Sequence, residues 1–341
     1  MDIRDAIQKV VNRQNLTELE AGSALAGIMD GQATPAQIAS FLTALRMKGE
    51  TVDEIVGFIK ETRRRAKRIA PRAEHLVDVC GTGGDEFTTF NISSTSAFVV
   101  AAGGGHVAKH GGRTYRHRSG SADVVEAMGV NLDAAPALVE RCIEAVGIGF
   151  LFAPNYHPAV KHAAAPRREI GLRTVLNVVS TLCNPADVPH MLVGVYDPEL
   201  TETVADVLRT LGARRAVVVH GAGMDELTTL GVSKVTELRD GALRTYVFDP
   251  ATLGIRAPDP AALAGGVPEE NARIAVAILQ GERGPRRDIV QLNAAAGLTA
   301  AGVAADLREG FELAGRAFRD GAAYAKLEAL RVQSHAVEQN G

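Results

Sequence analysis

The sequence predicts an α/β protein, with a small helical N-terminal domain and a large α/β domain whose mostly parallel central sheet is flanked by helices. Three observations carry this. Helix-start signals recur through residues 1–70, short apolar runs alternate with helical stretches from residue 74, and alanine-rich helical stretches return after residue 269. Short strands alternating with helices are the pattern of a parallel sheet covered on both faces.

In the first region, Thr17-x-x-Glu20, Thr34-Pro35-x-Gln37 and Thr51-x-x-Glu54 each fit a capping box, the second with proline at the first helical position. Three short helices are expected there. They follow an amphipathic start, MDIRDAIQKV, whose acids make it read as a first helix and not as a signal peptide. Ile38, Phe41, Leu42 and Leu45 recur at helical spacing, as do Ile55, Phe58 and Ile59, so each helix buries one stripe. The basic run Arg63, Arg64, Arg65, Lys67 and Arg68 reads as a solvated helix end, where cations oppose the helix dipole. Strands are expected at 76–80, 106–109, 147–152, 191–196 and 215–220, with a late hairpin from 235–238 and 243–248. Helices are expected at 269–280, 288–296 and 301–330.

With 341 residues and 46% apolar content, the chain is long enough for one large domain and a smaller one. No apolar run approaches the ~20 residues of a spanning helix, so no membrane role is expected and the cytoplasm is the expected compartment. Cys80, Cys142 and Cys183 are odd in number and far apart, which argues against a disulfide framework and a zinc site and for packing roles. A net charge of −3 without a basic tail makes nucleic-acid binding an unfavoured reading.

The segment 78–121 carries the most chemistry. A short apolar strand empties into Gly81-Thr82-Gly83-Gly84-Asp85, where glycines let bare amides approach an anion. Asn91, Ser93, Ser94 and Thr95 then crowd a helix start, itself an anion site. No acid occurs between Glu86 and Asp123, while Lys109, Arg113, Arg116 and Arg118 fall in that window with His106, His110 and His117. Asp85 beside phosphate suits a divalent cation or a ribose hydroxyl, or else caps the loop. The adjacent acids Asp225-Glu226, after a predicted strand and the turn Gly221-Ala222-Gly223, suit Mg²⁺, although on pattern alone such a pair reads first as a solvated surface.

GTGGD at 81–85, NIS at 91–93, KHG at 109–111, SGSAD at 119–123, FAPNYHPA at 152–159, RREIG at 167–171, GVYDPEL at 194–200 and MDEL at 224–227 together resemble the anthranilate phosphoribosyltransferase family over nearly the whole chain. The resemblance implies a homodimeric enzyme of tryptophan biosynthesis. Its reaction would move the 5-phosphoribosyl group of phosphoribosyl pyrophosphate (PRPP) to anthranilate, with Mg²⁺. It implies a helical domain of residues 1–70 that also receives about 172–189, and an α/β domain of 71–341 that binds PRPP. The dimer would form through the helical domains.

By the same resemblance, catalysis falls to Lys109, which would stabilise developing negative charge, and to Asp85. PRPP would meet Gly81, Gly84, Asp85, Thr89, Asn91, Ser93, Ser94, Lys109, Gly111, Arg116 and Ser121. Ser93, Asp225 and Glu226 would hold the metal, and Gly81, His110, Gly112 and Arg167 would face the acceptor, Arg167 at its carboxylate. Arg167 is expected to follow His157-Pro158 on one helix. The chain departs from the family pattern on the acceptor side. Gly112 replaces an asparagine, Arg116 and His117 replace serines, and Ser180-Thr181-Leu182-Cys183-Asn184-Pro185 stands where the family reads GPLTNP. Arg116 would substitute a charged phosphate contact for hydroxyls. These changes keep open a paralogue that ribosylates another aromatic acceptor in a specialised pathway. A non-catalytic nucleic-acid-binding relative is the third reading, which retention of the metal carboxylates opposes.

Overall fold

All three capping boxes form. The structure, a computed structural model, describes residues 1–83, 88–113 and 119–336. After α1 (Ile3–Val11) come α2 (Glu18–Met29), α3 (Pro35–Lys48) and α4 (Val52–Arg64). In these three helices the Thr17, Thr34 and Thr51 hydroxyls accept the amides of Glu20, Gln37 and Glu54, whose side chains reach back to the cap amides. The last box also anchors the lobe. Glu54 is fully buried, one oxygen accepting the Leu16 amide and the other facing the buried Lys48 ammonium at 2.9 Å. The predicted stripes are buried, and Phe41 meets Phe58 edge to face at 6.1 Å.

The basic run is only in part the solvated end that the sequence suggests: Arg64, Lys67 and Arg68 are exposed, but several of its arginines are engaged. Arg63 donates to Asp187 and to the Leu182 carbonyl, each at 2.8 Å, and Arg68 takes the other Asp187 oxygen. Arg65 is shared between Asp30 and Glu61. Arg63 and Arg68 clamp the end of α4 to a segment more than a hundred residues away, which local spacing cannot disclose.

The alternating region runs β1 (Leu76–Gly81), α5 (Ile92–Ala102), β2 (His106–Gly111), α6 (Ser121–Ala127), α7 (Pro136–Val146) and β3 (Ile148–Phe152). It continues with α8 (Ala153–Tyr156), α9 (Lys161–Ile170), α10 (Val175–Leu182), β4 (His190–Gly194), α11 (Leu200–Thr210), β5 (Arg215–Gly221), β6 (Ser233–Arg239) and β7 (Ala242–Phe248). The seven strands form one sheet in the order β3-β2-β1-β4-β5-β6-β7. Pairing is parallel from β3 to β5 and antiparallel in the edge hairpin. β4 stops at Gly194, short of the predicted end, and the Tyr196 amide is taken by the Thr82 hydroxyl at 3.1 Å.

The expected single helix from His157 to Arg167 is broken. His157 sits at φ −123° and ψ 60° between α8 and a 3₁₀ turn, Pro158–Val160, that leads into α9. Proline disfavours the α conformation in the residue before it. The helices α12 (Pro268–Leu279), α13 (Pro285–Ala300), α14 (Leu307–Arg319) and α15 (Ala322–Ser334) complete the chain. The stretch expected as one helix over 301–330 is thus a turn and two helices, divided where Gly321 takes φ 68°.

The sheet order places the site. β1 pairs with β2 on one side and β4 on the other, so the connections leave in opposite directions and open a crevice beyond the strands' carboxyl ends. Gly81 lies opposite Gly194 and Gly111 opposite Phe152 at that edge. The helical lobe roofs it, with α9 packed on α2 and α3, and α10 on α4. Among the described residues no helix is long and apolar enough to cross a membrane.

Candidate active site

A cavity of about 950 Å³ opens between the lobe and the sheet edge, lined by Leu25 and Met29 of α2 and Thr62 of α4 on one side and by the ends of β1 and β2 on the other. Gly81, Thr89, Asn91, Ser93, Ser94, Lys109, His110, Gly111, Gly112, Ser121, Arg167, Asp225 and Glu226 all line this one space. Gly84, Asp85, Arg116 and His117 lie outside the described residues.

The donor-side wall is built by carboxylates that hold backbone. Asp225 Oδ2 accepts the Gly83 amide at 2.7 Å, and Glu226 Oε1 accepts the Ser93 amide at 3.1 Å. Two amides of the anion-binding surface are thereby held by protein oxygens. Close approach requires the two facing glycines. A Cβ on Gly81 would lie 2.2 Å from Asp225 Oδ2, and one on Gly194 would lie 1.5 Å from the Asp225 carbonyl oxygen. The acidic segment is fixed from behind by Asn293 of α13, which accepts the Leu227 amide and donates to the Leu227 carbonyl, both at 2.9 Å.

Asn91 stands at the N-cap of α5 but its side chain does not cap it. Its Oδ1 instead accepts from Asn271 Nδ2 at 3.0 Å and from Ser119 Oγ at 3.2 Å, joining three segments. The Ser94 hydroxyl is buried without a partner and borders the cavity, so it is free to meet a ligand oxygen. Thr89 is held by a bridge to Ala264. Gly111 permits the close pass of Ser121, whose Oγ lies 2.2 Å from where a Cβ would stand. Arg113, counted above among the local cations, is taken by Asp123 and Glu126.

Lys109 is only 4% exposed, and its charge acts on the fully buried Asp78. Burial raises the Asp78 carboxyl to about 6, against the opposing pull of Lys109 and the Asn184 amide. Asn184 donates from Nδ2 both to Asp78 at 2.7 Å and to the Ala108 carbonyl at 2.8 Å. Asp78, Asn184, Asn271 and Asn293 are the residues that motif reasoning did not assign. Only the Asn184-Pro185 turn left a local signal. Asp78 and Asn293 are polar residues in largely apolar stretches and Asn271 follows two acids on a helix, so they are visible as partners only when the chain is folded.

On the acceptor side, His110 and His157 meet at a centroid distance of 5.1 Å and 64° between planes. Burial drives His110 well below the usual histidine range and His157 to about 4, so both are neutral at pH 7. Burial pushes the Cys183 thiol up to about 12. At Gly112 a Cβ would stand 3.8 Å from Ala153 Cβ, an ordinary contact. Thr181 spends its hydroxyl on the Asn177 carbonyl at 2.9 Å and the Gly81 carbonyl at 3.3 Å, tying α10 to the donor loop. A proline there could make neither bond.

The donor set fits magnesium. Asp225, Glu226 and the Ser93 hydroxyl are hard oxygens converging on one cavity wall, with glycines clearing room beside them.

The helical bundle domain of the glycosyl transferase family matches residues 4–66, and the a/b domain of the same family matches residues 73–324. The chain is 55% identical over 329 residues to the anthranilate phosphoribosyltransferase of Moorella thermoacetica, covering 96% of this chain and 97% of that protein. Its fold is similar to that of anthranilate phosphoribosyltransferase from Thermus thermophilus, with a TM-score of 0.92 and 42% identity over 97% of this chain and 100% of that one. It is also similar to the Saccharomyces cerevisiae anthranilate phosphoribosyltransferase in complex with PRPP and Mg, with a TM-score of 0.89 and 26% identity over 98% of each chain.

Proposed function

Since the chain belongs to the anthranilate phosphoribosyltransferase family, we propose that it transfers the 5-phosphoribosyl group of PRPP to the amino nitrogen of anthranilate in tryptophan biosynthesis. The observation that carries this reading is the paired grip of Asp225 on the Gly83 amide and of Glu226 on the Ser93 amide. It brings two carboxylates, a glycine loop and a hydroxyl-rich helix start to one wall of one cavity.

In this reaction the C1–oxygen bond to pyrophosphate breaks as the amino nitrogen bonds to C1 and gives up one of its protons, through a centre with oxocarbenium character. Catalysis then rests on orientation and charge, without a covalent nucleophile. Thr89, Ser94, Gly111 and Ser121 offer amides and hydroxyls to the donor, with Gly81 and Asn91 shaping that wall. Lys109 faces the negative charge that grows on the leaving group. Asp225, Glu226 and Ser93 would hold Mg²⁺, which supplies countercharge to the pyrophosphate when bound. Gly84 and Asp85 belong to the same assignment by motif, and Arg116 by substituting a charged phosphate contact for the family's serine hydroxyl. Arg167 lines the cavity and would meet the acceptor carboxylate, with neutral His110 and the open ground at Gly112 beside the ring.

The helical domain is assigned residues 1–70 with about 172–189, and the α/β domain 71–341. The packing of α10 on α4 and the Arg63 clamp on Asp187 support this division. A homodimer through the helical domains is supported by Val11, Leu19 and Met47, large apolar side chains exposed on that lobe. Three unpaired cysteines suit the cytoplasm. A second reading, another aromatic acceptor, is favoured by Gly112 alone, because an asparagine Cβ would fit there and none is present.

The test is to incubate the protein with PRPP, Mg²⁺ and anthranilate, identify the product by mass, and count pyrophosphate. One pyrophosphate per N-(5-phosphoribosyl)anthranilate is expected, with Asp225→Asn strongly impaired. Intact donor binding without any anthranilate product would overturn the reading and favour the second one.

A further inference from the structure

We propose that His110, His157 and Cys183 form a binding site for a soft divalent metal ion of the zinc class, at the acceptor end of the cavity and distinct from the magnesium position. The three residues come from separate elements. His110 lies in β2, His157 in the break between α8 and the 3₁₀ turn, and Cys183 at the C-cap of α10. All are buried, and one potential ligand atom from each lies within 4.8 Å of the other two. His157 Nε2 is already 3.7 Å from Cys183 Sγ. Zinc–nitrogen and zinc–sulfur bonds of about 2.0 and 2.3 Å in a tetrahedron set N···N and N···S pairs roughly 3.3–3.5 Å apart. The longest separation therefore needs to close by about 1.3–1.5 Å, by rotation of the side chains.

The hydrogen bonding points the same way. His110 Nε2 is a buried polar atom without a partner. Such atoms are uncommon in folded proteins, and a bound ion is one of the few things that satisfies them. The imidazole–thiolate set selects zinc-class ions, whereas Mg²⁺ prefers the oxygens of Ser93, Asp225 and Glu226. Cys183 also stands where the family segment quoted above reads threonine, so the sulfur distinguishes this chain from that pattern.

Binding displaces the Cys183 proton, which now serves a 3.4 Å contact to the Ser180 carbonyl, and releases it to solvent. No redox step is involved. All three residues border the cavity, so the ion's fourth position faces it. Resting on the functional reading above, an ion held there occupies acceptor space and competes with anthranilate while leaving PRPP binding unaffected.

The experiment is a titration of the metal-free full-length protein with Co²⁺, followed by visible and near-ultraviolet absorption. The expected result is one cobalt per chain, with the intense visible bands of four-coordinate cobalt and a sulfur-to-cobalt charge-transfer band. Zn²⁺ should displace them stoichiometrically. Cys183→Thr, which installs the family residue and so keeps the fold, should remove the charge-transfer band and weaken binding at least tenfold. Its folding is checked by circular dichroism. A pale six-coordinate spectrum, or an unchanged charge-transfer band in Cys183→Thr, would overturn the site. The spectra need no turnover. If cobalt binds as expected but the cobalt-free protein, given PRPP and Mg²⁺, does not consume anthranilate, the functional reading fails and the metal site stands; normal turnover without the spectrum gives the reverse.

Discussion

The two ends of the cavity are satisfied in opposite ways. At the donor end most of the named groups already occupy one another, the Ser94 hydroxyl excepted: Asp225 and Glu226 hold backbone amides, and Asn91 is fixed by Asn271 and Ser119. At the acceptor end, buried nitrogens of His110 and His157 have no partner. A ligand at the first end meets the Ser94 hydroxyl and otherwise displaces existing hydrogen bonds with something more strongly charged, which suits pyrophosphate with its metal. At the second end a ligand fills vacant hydrogen-bonding capacity. Substitutions should therefore abolish function at one end and retune it at the other.

The largest effect expected is at Lys109. Replacing it with methionine removes the positive charge that favours ionised Asp78, so stability at neutral pH should fall. Urea unfolding measures this. Adding Asp78→Asn should recover part of the stability and none of the turnover; recovery of both would remove Lys109 from the chemistry.

Asp78 itself gives a pH test. Its carboxyl is raised to about 6 in the folded protein, so it binds its proton more tightly folded than unfolded. Its contribution to stability is complete below its unfolded pKa near ~4 and is lost as pH rises through about 6, amounting to roughly 3 kcal/mol. The stability of the parent protein minus that of Asp78→Asn should decline over that interval. A flat difference would contradict the buried carboxylate.

Asp225→Asn should lower kcat by about 10²–10³, the scale of losing one preorganised electrostatic contact, with little change in stability. On the acceptor side, Gly112→Asn has room for its Cβ and should lower the KM for anthranilate roughly tenfold while leaving that for PRPP unchanged. An increase would show that the open ground serves a larger acceptor. Thr181→Val removes a hydroxyl bond of about 1 kcal/mol and should weaken PRPP several-fold, because Thr181 steadies the Gly81 carbonyl. An effect on anthranilate alone would place Thr181 wholly at the acceptor end.

This division also marks what the sequence disclosed. Capping boxes and apolar stripes announced the helices because they are local, and the glycine loop and hydroxyl-rich helix start announced the donor end for the same reason. The Arg63 clamp, the Asn293 brace and the Asn271 bridge were hidden because each depends on a partner distant in the chain. Cysteine spacing argued against a zinc site, yet folding brings Cys183 beside His157. The break at His157 had a visible cause in Pro158, which an unbroken helical reading passed over.

The measurement that bears most directly on the account is the initial rate of anthranilate fluorescence loss at saturating PRPP and Mg²⁺, as anthranilate is varied. A saturable rate that collapses in Asp225→Asn is the expected result. Persistent fluorescence, in a protein whose PRPP binding is confirmed by calorimetry, would contradict the account and show that the two ends of the cavity do not serve this pair of substrates.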